Sequence, residues 1–171
     1  MRKLLHGLHT VVFAALLLAP AGLRAEFLIE SLDNDFPQEI SDAKEEGKRL
    51  VIMFHQSGCP YCDKMRTRVF PDPKVEAYFS KNFVMIESNI KGNLDVVTPD
   101  GKPMSEVKMA KKYRIRATPV FMFFDTEGAQ ALRLTGFLNA DLFVRAGTYV
   151  VDGIYKKPEK ISFYRYLKGK G

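Results

Sequence analysis

The sequence predicts an α/β fold, a mixed central sheet flanked by helices on both faces, and three observations predict it. Three apolar runs, Leu50–Phe54, Phe83–Ile86 and Pro119–Phe124, have the length and unbroken apolarity of strands buried on both sides. Stretches with helical signals alternate with those runs. After the third run, Asp125-Thr126-Glu127-Gly128 reads as a hairpin turn into a further strand through Leu132 and Leu134, so the sheet mixes directions. The chain has 171 residues, enough for one domain with a real core, and no repeat, low-complexity segment or long linker divides it.

Residues 1–25 read as a signal peptide and residues 26–171 as the domain. Arg2 and Lys3 precede an apolar run from Val11 to Ala19, Pro20 and Gly22 break it, and small residues follow. The run falls well short of the roughly 20 residues that a membrane span needs. Cleavage is expected after Ala25, with Ala21 as the alternative site. No cysteine lies near either position to carry a lipid anchor.

Along the domain, Asp35-Phe36-Pro37 starts a helix that stops at Gly47. The first apolar strand follows, then the turn His55-Gln56-Ser57-Gly58. Cys59-Pro60-Tyr61-Cys62 opens the next helix, which breaks near Phe70-Pro71. Asp72-Pro73 caps a second short piece that packs through Val75, Ala77, Tyr78 and Phe79. The second strand comes next. Lys91–Pro103 is a turn-rich loop insert ahead of the third strand, and Ser105 caps a helix reaching about Tyr113. Leu142, Ala146, Tyr149, Val150, Gly153 and Ile154 line one stripe of a last helix. The basic, aromatic tail from Tyr155 onward is expected to pack back on the domain.

Charge excludes a nucleic-acid role. The formal charge is +6, and it falls to +3 when Arg2, Lys3 and Arg24 leave with the signal. The remaining basic residues are scattered, without the aromatic pattern that stacks bases. Of three histidines, only His55 stays in the domain.

The chemistry sits at Cys59 and Cys62, the only cysteines. Residues three apart at a helix start share a face, so the sulfurs can bond. The helix N-terminus favours negative charge and lowers the thiol pKa of Cys59, and the thiolate is the nucleophile of disulfide exchange. Cys59, at the helix end, is expected to be the more exposed and to attack; Cys62, one turn in, to be the more sheltered and to resolve. A purely structural disulfide would close too small a loop to constrain the unfolded chain. A structural zinc site wants four ligands, and only His55 adds to the pair. A c-type haem needs His after the second Cys, where Asp63 stands. No cofactor is expected beyond the redox-active pair itself. Pro119 opens a central strand although it cannot donate to the ladder. A cis Thr118–Pro119 bond beside the cysteines accounts for that; a trans proline at a strand start is the alternative.

Cys59-Pro60-Tyr61-Cys62, then Tyr113–Pro119, then Phe123–Gly128 and Gly136-Phe137, resemble the thioredoxin-like superfamily over nearly all of residues 26–171. The resemblance implies a thioredoxin fold, a cis Pro119 and a substrate site at Pro60, Tyr61, Thr118 and Pro119, with the Thr118 backbone offered to an extended segment. Gly58–Cys62, the insert ending in Asp100-Gly101-Lys102, and Tyr149–Tyr155 with Tyr164–Leu167 are similar to secreted thioredoxin-related proteins of the SoxW type, linked with bacterial sulfur oxidation. That likeness implies a periplasmic, monomeric oxidoreductase that takes electrons from a membrane thiol carrier and reduces a disulfide-containing periplasmic protein.

Two departures matter. Gly58 stands where cytosolic thioredoxins carry Trp, and Met53 stands where they bury an Asp. The proton acceptor for Cys62 is therefore sought elsewhere, and Glu87 on the second strand is the candidate base. His55 either stabilises the thiolate as a cation or packs under the loop as a neutral ring. The dipeptide Pro60-Tyr61 brings no charge to hold a thiolate, which favours a reductant. A DsbA-like oxidase or an isomerase is the alternative, and a copper-binding chaperone built on Cys59, Cys62 and His55 is a third reading.

Overall fold

Alternation along each central strand decides the architecture. In β2 (Arg49–His55), Leu50, Ile52 and Phe54 face one layer of helices, while Val51 and Met53 face the other. The same split runs through β3 (Phe83–Asn89) and β6 (Val120–Phe124): Phe83, Met85, Phe121 and Phe123 join the second layer. Burial on both faces is why these strands read as continuous apolar runs. The computed structural model describes residues 25–159 and 161–169; the segment assigned as signal peptide lies outside them except for Ala25.

The five-stranded sheet has the order β1-β3-β2-β6-β7, where β1 is Leu28–Ile29 and β7 is Gln130–Thr135. β1 and β2 run parallel to β3; β6 is antiparallel to β2 and to β7. The mixed sheet is the expected one, with β1 added at an edge. One face is covered by α1 (Phe36–Glu45) and α4 (Glu106–Lys112). The other is covered by α2 (Pro60–Lys64), α3 (Pro73–Asn82) and α5 (Ala140–Val151). Asp35 and Asp72 cap α1 and α3 by accepting the amides of Gln38 and Lys74. Ser105 occupies the N-cap position of α4, but its side chain makes no capping bond.

A cluster of phenylalanines fills the second layer. Phe79 and Phe143 stack with ring centroids 4.2 Å apart, and Phe121 stands 5.1 Å from Phe143. Gly147 lets α5 approach α3, because a Cβ there would come within 2.8 Å of Tyr78 Cε1. Phe143 and Gly147 thus carry packing that the apolar stripe of α5 did not include. The break of the redox helix is a π-turn, Met65–Val69, in which the Phe70 amide bonds the Met65 carbonyl at 2.9 Å. It delivers Phe70 to the aromatic cluster, 5.8 Å from Phe143.

The insert is not a plain loop. Asp95–Val97 (β4) and Pro103–Ser105 (β5) pair antiparallel, and Val96 is buried against α1 and α4. Each strand has only three residues, below the length at which alternation can be recognised. Glu106 anchors this region: its carboxylate accepts the Ser88 hydroxyl at 3.0 Å and the Asn89 amide at 2.7 Å. The tail packs back as expected. Tyr149 donates its hydroxyl to the Ile161 carbonyl at 2.9 Å, and Arg145 reaches the Leu167 carbonyl from α5 to α6 (Phe163–Leu167). Among the described residues no helix is long and apolar enough to cross a membrane.

Candidate active site

Gly58 turns the chain out of β2 with φ +70°, a left-handed conformation that favours glycine, and delivers Cys59 to the N-cap of α2. Pro60 then fits the first turn, where no amide donor is needed. Cys59 and Cys62 are joined as a disulfide, with Cα atoms 5.3 Å apart. The expected order of burial holds, although both sulfurs are enclosed: Cys59 is 4% accessible and Cys62 is fully buried. The reason is packing, since both cysteines belong to the core cluster that includes Met53, Phe70 and Leu138.

Two donors converge on Cys59 Sγ. The Cys62 amide lies 3.1 Å from Cys59 Sγ, and the Thr118 hydroxyl donates to the same atom across 3.2 Å. Both would strengthen toward a thiolate and lower its pKa. The peptide bond Thr118–Pro119 is cis. The amide of Gly136 donates to the Pro119 carbonyl at 2.8 Å, which places Gly136-Phe137 beside the cis-proline loop. Phe137 and Tyr61 are exposed at this end, and Lys64 Nζ lies 5.4 Å from the centre of the Tyr61 ring. Pro60, Tyr61 and Thr118 are the accessible members of this group, with Cys59, Cys62 and Pro119 buried beside them.

Glu87 and His55 sit beside it. Glu87 pairs in register with Met53, the position where thioredoxins bury their acid. Its Oε1 accepts from Arg66 Nε at 2.8 Å, and Arg66 also donates to Asp63 at 3.1 Å. Arg66 lies one helical turn past Cys62, on the same face, so that spacing was readable in the sequence. The His55 pKa is lowered, by burial first; the Arg66 cation acts in the same direction, while Glu87 and Glu106 oppose it. The ring is therefore neutral near pH 7. Among the described residues, no three His, Cys, Asp or Glu side chains converge as a metal set.

The Thr118 side chain was missed because the resemblance pointed to its backbone. Arg66 and Glu106 were missed because a helical arginine and a first-turn glutamate ordinarily face water.

A family model described as a thioredoxin-like domain matches residues 36–150. A thiol:disulfide interchange protein, DsbD, of Pseudoalteromonas atlantica is 25% identical over 118 residues, covering 68% of this chain and 18% of that protein. The chain thus spans under a fifth of that relative's length. Among solved structures, a thioredoxin-fold protein from Helicobacter pylori superposes with a TM-score of 0.59 at 22% identity, covering 72% of this chain and 82% of that one. A thioredoxin from Thermus thermophilus superposes with a TM-score of 0.51 at 27% identity, over 70% and 87% of the two chains.

Proposed function

The chain belongs to the thioredoxin-like domain family, and on that premise we propose that it is a periplasmic thiol–disulfide oxidoreductase that reduces disulfides in partner proteins. The observation that carries this reading is the Cys59–Cys62 disulfide at the N-terminus of α2, with the Thr118 hydroxyl and the cis-proline against it. The Cys59 thiolate attacks a partner disulfide and one partner thiolate leaves. Cys62 gives its proton to Glu87 and attacks Cys59 Sγ, and the second partner thiolate leaves. Two electrons have then passed to the partner, and a membrane thiol carrier restores the dithiol. The extended partner segment lies along Pro60, Tyr61, Thr118 and Pro119. Neutral His55 packs beneath the loop.

The signal-like pattern of residues 1–25 supports the periplasmic assignment, the likeness to DsbD, a thiol:disulfide interchange protein, supports disulfide exchange, and the SoxW-type likeness supports a membrane source of electrons. The SoxW-type segments Gly58–Cys62, Asp100–Lys102 and Tyr164–Leu167 support a partner in sulfur oxidation. A monomer suffices for every step.

A second reading, an oxidase or isomerase, is favoured by one observation: the Thr118 hydroxyl lies 3.2 Å from Cys59 Sγ, where it would stabilise a thiolate in the reduced form. Equilibration with a glutathione redox buffer separates the two. A potential near thioredoxin's, about −270 mV, is expected, and one near DsbA's, about −120 mV, overturns the reductant. Cys62→Ser should accumulate a mixed disulfide with the partner in cells. Glu87→Gln should slow release from that adduct in the otherwise native protein; unchanged release removes Glu87 as the base.

A further inference from the structure

Six large apolar side chains are notably exposed among the described residues, and three of them, Ile29, Leu32 and Leu94, gather on one side of the redox centre. Ile29, Ile86, Glu87 and Leu94 line a cavity of about 290 Å³. Leu32 lines a second cavity of about 240 Å³ with the carboxylates of Asp33, Asp35, Glu39 and Asp42, and Glu30 borders both cavities. Neither cavity has a lysine or arginine among its described lining residues. The surrounding sequence is equally one-sided: residues 26–46 hold eight acidic residues and one lysine.

Helix chemistry explains part of this acidity. Asp35 caps α1, and Glu39 complements its N-terminal dipole. It does not explain Leu32, 93% exposed, or Leu94, 60% exposed. Two leucines held open beside carboxylates combine an apolar anchor with a charged rim, the composition of a recognition surface. The surface is continuous with the redox centre. β1 and β3 run parallel to β2, so all three end toward the cysteines. Arg66, one turn past Cys62, binds Glu87, and Glu87 lines the first cavity.

We propose that this acidic, leucine-bearing face, made by the β1–α1 loop and by Leu94 ahead of the insert hairpin, docks a basic, apolar segment flanking the disulfide of the partner protein. The inference rests on the thiol–disulfide reading above and adds the class of sequence that the enzyme selects. Charge complementarity commits it to a cationic segment, and the two leucines commit it to apolar residues between the charges.

The test uses two synthetic peptides with the same internal disulfide, one flanked by alternating leucine and lysine, the other by alternating leucine and glutamate. Binding is read by fluorescence anisotropy on versions with both cysteines replaced by serine, and reduction by the rate with the dithiol protein. The lysine peptide is expected to bind and to be reduced about tenfold better at low ionic strength, with the preference fading as salt rises. Leu32→Ser with Leu94→Ser should weaken the lysine peptide, and Asp33→Asn with Glu39→Gln should abolish the preference. Neither pair should change the rate with a small aromatic disulfide. Equal binding of the two peptides, or variants that bind like the parent, overturns the proposal. So does a parent protein that self-associates through its basic tail and loses the lysine peptide on doing so. If the lysine peptide binds selectively yet neither disulfide is reduced, the docking face stands and the oxidoreductase reading falls.

Discussion

Thr118→Val removes one donor from Cys59 Sγ and little else, because the two side chains have nearly the same shape. The Thr118 hydroxyl lies 3.2 Å from Cys59 Sγ, one of two donors there. A hydrogen bond to a charged acceptor contributes about 1.5–3 kcal/mol, and the partly buried position of Thr118 favours the lower half, about 1.5–2 kcal/mol. At 1.36 kcal/mol per unit, the Cys59 pKa should rise by about 1 to 1.5 units. Because the bond strengthens in the reduced form, its loss destabilises the dithiol. The potential should fall by about 30–40 mV, at 30 mV per 1.4 kcal/mol. The pKa is read from thiolate ultraviolet absorbance in the reduced protein, and the potential from a glutathione equilibrium. Thr118→Ser retains the hydroxyl and should stay near the parent on both measures. A valine variant that titrates like the parent, or a serine variant that shifts as far as valine, refutes the argument.

Other perturbations follow from the surroundings of the site. The depressed pKa of His55 means that the unfolded chain binds a proton near pH 6.5 while the folded chain does not. Stability should therefore fall as pH drops through 6.5 and level off below the folded pKa; His55→Gln should flatten that slope in urea melts between pH 7.5 and about 5.5. Glu106→Ala leaves the Ser88 hydroxyl and the Asn89 amide without their acceptor and should lower stability by about 2–3 kcal/mol. Gly92→Ala should cost about 1–3 kcal/mol in the same melts, because its Cβ would fall 1.8 Å from Glu106 Oε2. Tyr149→Phe should cost about 1 kcal/mol and speed proteolysis of the tail, since the Ile161 carbonyl loses its buried donor.

What was legible in the sequence was set by periodicity and by special backbone chemistry. Leu50–Phe54, Phe83–Ile86 and Val120–Phe124 became the three central strands because burial on both faces demands unbroken apolarity. Pro119 at the mouth of a central strand left cis and trans both open, and it was the thioredoxin-like resemblance that implied the cis bond. Legibility failed where elements were short or where contacts joined distant residues. β1 has two residues, and the hairpin strands three each. The order of burial within the pair followed from their places on the helix, but not its degree, because the core cluster that encloses Cys59 is assembled from β2, the redox helix and the segment around Leu138. The Arg66–Glu87 pair spans 21 residues of chain, so neither side chain announces the other.

The π-turn at Met65–Val69 has a consequence for how this chain tolerates length changes. An α-helix advances about 100° per residue, so one residue more or less rotates everything beyond it. The turn holds an extra residue between the helix that presents Cys59 and Cys62 and the ring of Phe70 in the core. Deleting Thr67 or Arg68 would let the segment close into a regular α-helix with Phe70 still facing the aromatic cluster, whereas inserting one further residue would swing Phe70 about a quarter-turn away from it. The turn thus keeps the redox pair in phase with the core beneath it, and a one-residue insertion there should be far more damaging than a one-residue deletion.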